Sequence, residues 1–574
     1  MTDPVSTQPM PTNDEERLPP SPPTLPPILR QLAFAESITG PTLVVALATI
    51  VGLATGLLAV VFLQAIRATQ AFSHGPLLEP FDFLQPYVVV LVPALGGLLV
   101  GLIARGVPEV RSLGVPEVMA ATAWPRRVLR PIVALAKPLA ATLTLGTGGS
   151  AGQEGPIVHG GAALSDALTT ALRLSPARRR TLLACASAGA IAAAFDTPLA
   201  GLAFSLEVIL GGFSATWAGN VGALGALLVA TVSAVVVRRT IMGPVLTLAV
   251  SSYPLTRAAD LVLLAALGVV AGVLAVFFSW LLYVAEDVFN GWRLPPFARP
   301  AVGGLAVGIL AFLLPLEGTS SPLLGPGFET LEMTLRGEVV WTTLVLLVVL
   351  KSAATAVTVG SGGSGGIFGP ALVIGGALGG AWGKLVQLQF PSLAGPAGGY
   401  ALAGVSAVLA GAIHAPITAI LLGWELTGDV RVLPSLIIAV LVAHWVAGRL
   451  DPLSVYATKL ARRGLRLRAG RDAAVLDALT LADVLGQLEP VPLPQVQTSD
   501  PALAQAPVAG PDDTLTQAMN ALDQDGVDRL LVVDPARPGR LLGVVRRADV
   551  EDAYRRAVES RAISSTSDQE ENAS

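Results

Sequence analysis

Residues 146–164 read GTGGSAGQEGPIVHGGAAL, and residues 360–378 read GSGGSGGIFGPALVIGGAL. The second stretch begins 214 positions after the first, and the two agree at ten of nineteen places. Lys137 and Lys351, which precede the two copies, are separated by the same 214 positions. Paired, glycine-interrupted apolar segments are typical of membrane transporters whose site lies between two repeats. The sequence therefore predicts two related halves with an ion pathway at their interface.

The composition indicates that most of the chain lies in a membrane. Hydrophobic residues make up 52% of the 574 residues and charged residues 14%, whereas soluble domains carry roughly 25% charged residues. Some apolar runs approach the roughly 20 residues of a full span and others suit half helices; the runs include Val44–Ile66, Tyr87–Ile103, Leu261–Val284, Val339–Leu350 and Leu433–Val446. We predict an all-α polytopic membrane protein with inverted repeats and broken or re-entrant helices.

The chain divides into three predicted parts. Residues 1–36 are rich in Pro, Asp, Glu and Thr and contain no signal peptide, so we expect a disordered tail. The transmembrane part is predicted to cover 37–468, with repeat halves near 41–235 and 258–450. Residues 469–574 are more polar and are predicted to form a soluble tail.

Basic clusters predict the orientation of the chain. Arg126–Arg130, Arg178–Arg180 and Lys459–Arg471 flank apolar segments, and such clusters are enriched on the cytoplasmic side. We expect both termini in the cytoplasm and the protein in the plasma (inner) membrane. Cys185 is the single cysteine, and only four histidines occur, so neither a disulfide framework nor a metal site is predicted.

The two glycine-rich stretches have the chemistry of an anion site. Each ends in Gly-x-x-Gly-Pro, at 152–156 and at 366–370, before a helix-compatible apolar run. A helix N-terminus offers unpaired N–H groups and about half a positive charge. Two such ends converging from opposite halves predict an anion site without a full cation. The alternative is that these glycines only allow close helix packing.

Glu154 breaks the symmetry between the copies, because Phe368 stands at the matching position. A carboxylate among amides that would otherwise hold an anion can occupy the place of that anion, and protonation would release it. Glu154 is thus predicted to gate the path and to link anion movement to protons. The alternative is a carboxylate that only stabilises a helix N-terminus.

Three motifs and one late tyrosine resemble the CLC family of chloride channels and chloride/proton antiporters. The motifs are SLGVPEV at 112–118, GQEGP at 152–156 and GGIFGP at 365–370, and the tyrosine is Tyr456. The resemblance covers about residues 40–465. It implies a homodimer in the lipid bilayer, in which each subunit has its own anion pathway lined by the N-termini of several broken helices.

The resemblance also implies roles for individual residues. Glu154 would be the gating glutamate, and Tyr456 would offer its hydroxyl to the anion. The other anion-binding positions that the motifs imply are Leu113, Gly114, Gly155, Ile367, Phe368 and Gly369. Ile367 and Phe368 would donate backbone amides to the central anion, whereas Gly155 and Gly369 would line the outer part of the path.

The chain departs from the family pattern at three positions. Leu113 replaces a serine whose hydroxyl faces the anion, so nitrate or fluoride is an alternative to chloride. Gln153 stands where an arginine is frequent, and we expect a modest effect. Val208 replaces the second of two adjacent acids that carry protons in the best-known bacterial antiporters, which resembles the channel branch. Glu207 could still serve in a proton path, but Glu425 is its repeat counterpart, which favours a structural acid.

The soluble tail resembles a single CBS domain at about 505–560, and 474–500 could be the remnant of another. CBS domains usually come in pairs that bind adenine nucleotides. Only one convincing copy is visible here. The domain could bind an adenine nucleotide, the one cofactor that the resemblance implies, or it could stabilise a dimer, which is at least an equal alternative.

We therefore predict selective permeation of a small anion, chloride first, by a channel with a protonatable glutamate gate. The alternative is a proton-coupled antiporter. Two other classes are a nucleotide-sensing scaffold that transports nothing and an intramembrane enzyme. His159 and His414 lie near glycine-rich turns but lack an accompanying nucleophile, so no enzyme is predicted, and no nucleic-acid partner is expected.

Overall fold

The computed structural model describes residues 40–73, 85–124, 127–212, 221–243, 258–313, 322–392, 395–463, 465, 479–485, 506–525, 528–534, 541–554 and 556. The predicted tail at 1–36 lies outside these residues. Up to residue 465 the described chain is helical, which confirms the predicted all-α membrane fold.

The first half contains α1 Gly40–Ser73, α2 Gln85–Gly106, α3 Val115–Ala123, α4 Val133–Gly146, α5 Glu154–Ala171, α6 Pro176–Phe195, α7 Pro198–Phe204 and α8 Val221–Met242. The second half contains α9 Ala258–Gly291, α10 Arg299–Leu313, α11 Phe328–Leu335, α12 Trp341–Gly360, α13 Phe368–Gln389, α14 Ala397–Ile413, α15 Pro416–Thr427, α16 Leu433–Leu450 and α17 Val455–Arg462. Within the described ranges, seven apolar helical stretches are long enough to cross a membrane, and five shorter ones suit half helices.

Glycines allow the helices to pack backbone to backbone. A Cβ placed on Gly56 of α1 would lie 2.7 Å from the carbonyl oxygen of Ala234 in α8, and one on Gly272 of α9 would lie 2.6 Å from that of Ala443 in α16. These distances leave no room for a side chain. Close approach of this kind is the main source of helix association in lipid, where the hydrophobic effect no longer drives packing.

The halves meet through reciprocal hydrogen bonds between matching positions. Gly152 and Gly366 form an antiparallel bridge in which each N–H donates to the other carbonyl, both at 2.7 Å. Beside the bridge, the Ser150 N–H donates to Thr358 Oγ1 at 3.1 Å, and the Ser364 N–H donates to Thr144 Oγ1 at 3.0 Å. The members of each pair of bonds are related by the 214-residue offset, so the two halves face each other in opposite directions.

The matched lysines, Lys137 and Lys351, are buried, and each binds the carbonyl groups of a turn in its own half. We call this arrangement a lysine staple. Lys137 Nζ donates to the carbonyl of Val110 at 2.8 Å and also bonds that of Ser112, on the turn before α3. Lys351 Nζ donates to the carbonyls of Pro322, Leu323 and Gly325, on the turn before α11. Both ammonium groups therefore satisfy buried carbonyls, which is the structural role open to lone intramembrane lysines.

The C-terminal residues form a small α/β unit, as the strand–helix alternation predicts. Its elements are α18 Leu481–Leu485, β1 Val508–Ala509, α19 Leu515–Asp525, β2 Arg529–Val533 and β3 Leu541–Arg546. Strand β2 is central, parallel to β1 and antiparallel to β3. Helix α19 supplies Leu515, Met519 and Leu522 to an apolar core against the sheet.

Replacement of Lys351 by methionine tests the staple. The change leaves three buried carbonyls without their donor, and each unsatisfied group costs about 1–3 kcal/mol. We expect Lys351→Met to lower the midpoint of thermal unfolding in detergent strongly, and Lys384→Met, at a half-buried lysine of α13, to leave it nearly unchanged. Equal midpoints for the two variants would contradict the assignment.

Candidate anion site

Two helix N-termini from opposite halves meet at the Gly152–Gly366 bridge. Helix α5 begins at Glu154 and α13 begins at Phe368. A Cβ on Gly155 would lie 3.2 Å from Gly366 Cα, so the first turn of α5 touches the loop of the other half. Because the bridge fixes both loops, the dipoles of α5 and α13 act on one small region, where they favour a negative charge.

The first-turn amides of these helices are the donors of the site. Within the described residues, the N–H groups of Gly155, Ile367 and Phe368 form no hydrogen bond. Ile367 and Phe368 are almost completely buried. Buried N–H groups normally have a partner, so these three amides are suited to an anion that carries no donor of its own.

Glu154 occupies the centre of this arrangement. Its side chain is 1% exposed, and Oε2 accepts the Gly369 N–H at 3.1 Å. Oε1 has no hydrogen-bond partner among the described residues, and no basic side chain forms an ion pair with the carboxylate there. The carboxylate of one half thus takes an amide at the helix N-terminus of the other. A buried carboxylate with so few partners is costly to keep ionised.

Aromatic rings close one side of the site. The Phe368 ring packs against Phe195 with centroids 5.4 Å apart and against Phe204 at 6.1 Å, and Phe328 meets Phe195 edge-on at 6.0 Å. A Cβ on Gly369 would lie 3.2 Å from Glu154 Oε1 and 3.3 Å from Phe328 Cζ. The carboxylate and the Phe328 ring therefore both lie against Gly369, where Glu154 is almost completely buried.

Tyr456 approaches the same region from α17. It is 1% exposed, belongs to the same apolar core as Phe368 and Leu113, and interacts electrostatically with Glu154. Its hydroxyl bonds no described residue. Tyr283 of α9 anchors this helix by donating its hydroxyl to the carbonyl of Val455. The structure thus places the late tyrosine within electrostatic reach of the glutamate at the two helix ends, and an anion-binding role for its hydroxyl stays a prediction.

In the loop before α3, the N–H of Leu113 bonds no described residue, whereas the N–H of Gly114 has a partner. Gly114 has φ +90°, which lets the loop turn against the Gly155 carbonyl. Its N–H, however, donates to Glu117 Oε2 at 3.0 Å, so it is not free for an anion. The Gly114 amide is therefore engaged in this conformation, and the anion-binding role of Gly114 stays a prediction. The Leu113 N–H bonds no described residue, and the buried Leu113 side chain offers no hydroxyl.

Glu117 and Arg463 are site-supporting residues that the sequence analysis missed. Glu117 Oε1 accepts from Arg463 Nη1 at 2.7 Å, which ties the loop of Leu113 to the end of the helix that carries Tyr456. Glu117 is the last acid of the SLGVPEV motif, and its position three residues after Gly114 is a capping-box signal that could have identified it. Nothing local points to Arg463, because the contact spans 346 residues.

Glu207 makes reciprocal contacts with the opposite half. Its Oε1 accepts the Ile417 N–H at 3.0 Å, and its Oε2 accepts the Thr418 N–H at 2.7 Å, at the start of α15. Glu425 accepts the N–H groups of Leu199 and Ala200 at 3.0 and 2.8 Å, at the start of α7. Each carboxylate thus stabilises a helix N-terminus of the other repeat, which supports the structural alternative for Glu207.

The matched acids give a controlled test. If both carboxylates only stabilise helix ends, Glu207→Gln and Glu425→Gln should each lower the free energy of unfolding by about 1–2 kcal/mol, since each loses charge-assisted bonds to two amides. Thermal unfolding in detergent and the pH dependence of anion flux would be measured on both. Loss of proton movement in Glu207→Gln alone would assign Glu207 to a proton path.

Comparison with known proteins identifies the family. The family model described as voltage gated chloride channel matches residues 96–448. A ClcB-like protein of Ralstonia nicotianae, provisionally named a chloride channel protein, is 31% identical over 425 residues, 73% of this chain and 96% of the relative. The H(+)/Cl(-) exchange transporter ClcA of Yersinia pestis is 29% identical over 444 residues, 76% of this chain and 90% of the relative.

A solved structure agrees. The crystal structure of a slow cyanobacterial Cl-/H+ antiporter has a TM-score of 0.67 and 27% sequence identity, and the match covers 74% of this chain and 98% of that one. The family match spans more than half of the 574 residues and includes Glu154, Phe368 and the Gly152–Gly366 bridge. The chain is a multi-pass integral membrane protein that belongs to the CLC family of anion transporters.

Proposed function

We propose that this protein exchanges chloride for protons, with Glu154 as the gate. The observation that carries the proposal is the bond from the Gly369 N–H to Glu154 Oε2, between two helix N-termini and without a basic partner in the described residues. A carboxylate and an anion compete for the same donor. Occupation of the site by one therefore requires the other to leave.

The two protonation states of Glu154 differ in what they do. The ionised carboxylate is attracted by both helix dipoles and accepts the hydrogen bond from the Gly369 N–H. In this state the side chain of Glu154 closes the path. A proton removes the charge, so the side chain loses that attraction and the amide can turn to an entering anion. When the proton leaves, the carboxylate returns. Anion entry and proton uptake then occur on one residue, which couples the two flows.

The named relatives support exchange at least as well as a channel. Two of them, at 29% and 27% identity, are named as chloride/proton exchangers or antiporters. The channel alternative rests on Val208, a buried apolar residue beside Glu207, and on the relative at 31% identity that is named a chloride channel protein. Because Glu207 is engaged at the start of α15, it does not favour either alternative. Transport rather than catalysis is the function class of the family.

We also propose a plasma-membrane location with cytoplasmic termini. Arg178–Arg180 and Lys459–Arg463 support it, since both clusters border membrane helices. The α/β unit would then lie in the cytoplasm. The homodimer, and an adenine nucleotide at the CBS-like unit of about 505–560, stay predictions.

The glutamate gate is tested by Glu154→Gln. Glutamine keeps the size of the side chain but cannot ionise, so it mimics the protonated state. We expect chloride flux from proteoliposomes to lose its pH dependence and chloride-driven uphill proton movement to disappear. Flux and external pH would be recorded together.

The matched control is Glu329→Gln, a surface carboxylate of α11 outside the site. It should keep wild-type pH dependence and coupling. A wild-type pH response in Glu154→Gln would contradict the gate. Anion flux without uphill proton movement in the wild-type protein would support the channel alternative instead.

Leu113→Ser tests anion preference. The substitution introduces a hydroxyl donor at the position where the family has serine. We expect the ratio of chloride to nitrate flux to rise about three- to tenfold, since one hydrogen bond to a charged group contributes about 1.5–3 kcal/mol and part is lost to solvent. Leu113→Ala, which shortens the side chain without adding a donor, should leave the ratio near the wild-type value. Equal ratios in both variants would contradict a hydroxyl effect.

A further inference from the structure

A cavity of about 90 Å³ borders the candidate anion site on the side of α17. Leu113 lies in its wall, as does Val455, the neighbour of Tyr456. The remaining wall comes from the ends of α9 and α12, the start of α10 and the turn before α3. A single water needs roughly 10–15 Å³ on this measure, so the cavity has room for a small ion with several waters.

Four charged side chains line this cavity, and three of them have partners. Lys459 forms an ion pair with Glu286. Arg299 donates to Asn290 Oδ1 at 2.9 Å and to the carbonyl of Leu294 at 3.2 Å. The fourth is Arg111, at the end of the turn before α3. The charges of the lining sum to a positive value, which favours an anion.

Arg111 is the unsatisfied member of the set. Its Nε is buried and has no hydrogen-bond partner, and its guanidinium forms no ion pair with any residue that the structure describes. The nearest acid in sequence, Glu109, pairs with Arg130 at 3.0 Å instead. A buried guanidinium N–H without an acceptor is costly. Arg299, whose charge acts on Arg111, adds to the positive potential at this point.

Repeat symmetry indicates that the fold does not need this side chain. Pro108 and Pro322 begin the corresponding turns and are separated by the same 214 positions, so Arg111 corresponds to Gly325. The carbonyl of Gly325 binds Lys351, just as the neighbours of Arg111 bind Lys137. The second half thus builds the same staple with no side chain at all. Arg111 is an addition to one repeat, as Glu154 is.

We propose that Arg111 holds a planar oxyanion, of the nitrate or carboxylate type, in this cavity. The Nε and Nη atoms form a planar fork that matches two oxygens of such an anion, and the Nε member of that fork is free. A halide offers no second acceptor atom. This proposal rests on the proposed function in one respect: an anion bound beside Leu113 hinders the passage of chloride along the proposed pathway.

The test is inhibition of chloride flux by nitrate at equal concentration on both faces of proteoliposomes that contain the full chain. In the wild-type protein nitrate should inhibit at lower concentration than bromide does. In Arg111→Gln the inhibition constant for nitrate should rise about three- to tenfold, as expected for loss of a charge-assisted bidentate bond, while that for bromide changes less. Arg111→Lys keeps the charge but lacks the planar fork. Its inhibition constant for nitrate should lie between those of the wild-type protein and Arg111→Gln.

Arg105→Gln is the matched control, because Arg105 lies over the Phe297 ring at the end of α2 and does not line the cavity. Nitrate and bromide should inhibit chloride flux through this variant with the same constants as in the wild-type protein. Equal shifts for nitrate and bromide in Arg111→Gln, or wild-type behaviour in that variant, would overturn the proposal. Proton coupling of the wild-type protein, recorded in parallel, separates this result from the proposed exchange: the nitrate shift in Arg111→Gln is expected even if the wild-type protein moves no protons.

Discussion

The reciprocal main-chain bridge between Gly152 and Gly366 is the constraint on which the rest of the site depends. It holds two glycine-rich loops at backbone distance, and each loop leads directly into a helix. The helices therefore begin close to each other. The amides of Ile367 and Phe368 and the carboxylate of Glu154 belong to different halves of the protein. Without the bridge, nothing would hold them close together.

Two sets of buried charges occupy matching positions in the two halves. The matched lysines bind turns, and the matched acids Glu207 and Glu425 stabilise helix ends of the opposite repeat. Because each has a counterpart with the same role, these ions serve the architecture. Glu154 and Arg111 have no charged counterpart, and each has a donor or acceptor atom without a described partner. Glu154 and Arg111 are therefore the two unmatched groups on which the proposed ion sites rest.

The anion site itself is built from dipoles rather than cations. First-turn amides attract an anion without the tight binding that a buried lysine would impose, which suits a site that must also release its ion. The apolar wall of Phe368 and Phe195 strengthens these dipoles by excluding water. The cation at Arg111 lies in the neighbouring cavity, apart from these amides.

The sequence by itself determined the membrane class and the two halves and predicted the principal site residues, because a duplicated Gly-x-x-Gly-Pro carries its chemistry in the backbone. Residues Glu154, Phe368 and Tyr456 could be named before any contact was known. Only the tertiary structure decided which amides are free: Gly114 donates to Glu117, and Gly369 to Glu154. The same holds for Glu207, whose donors lie 210 and 211 residues away, and for Arg111, whose significance is the absence of a described partner. Local pattern fixes where helices begin, but pairing of polar groups across the interface depends on the packing of the two halves.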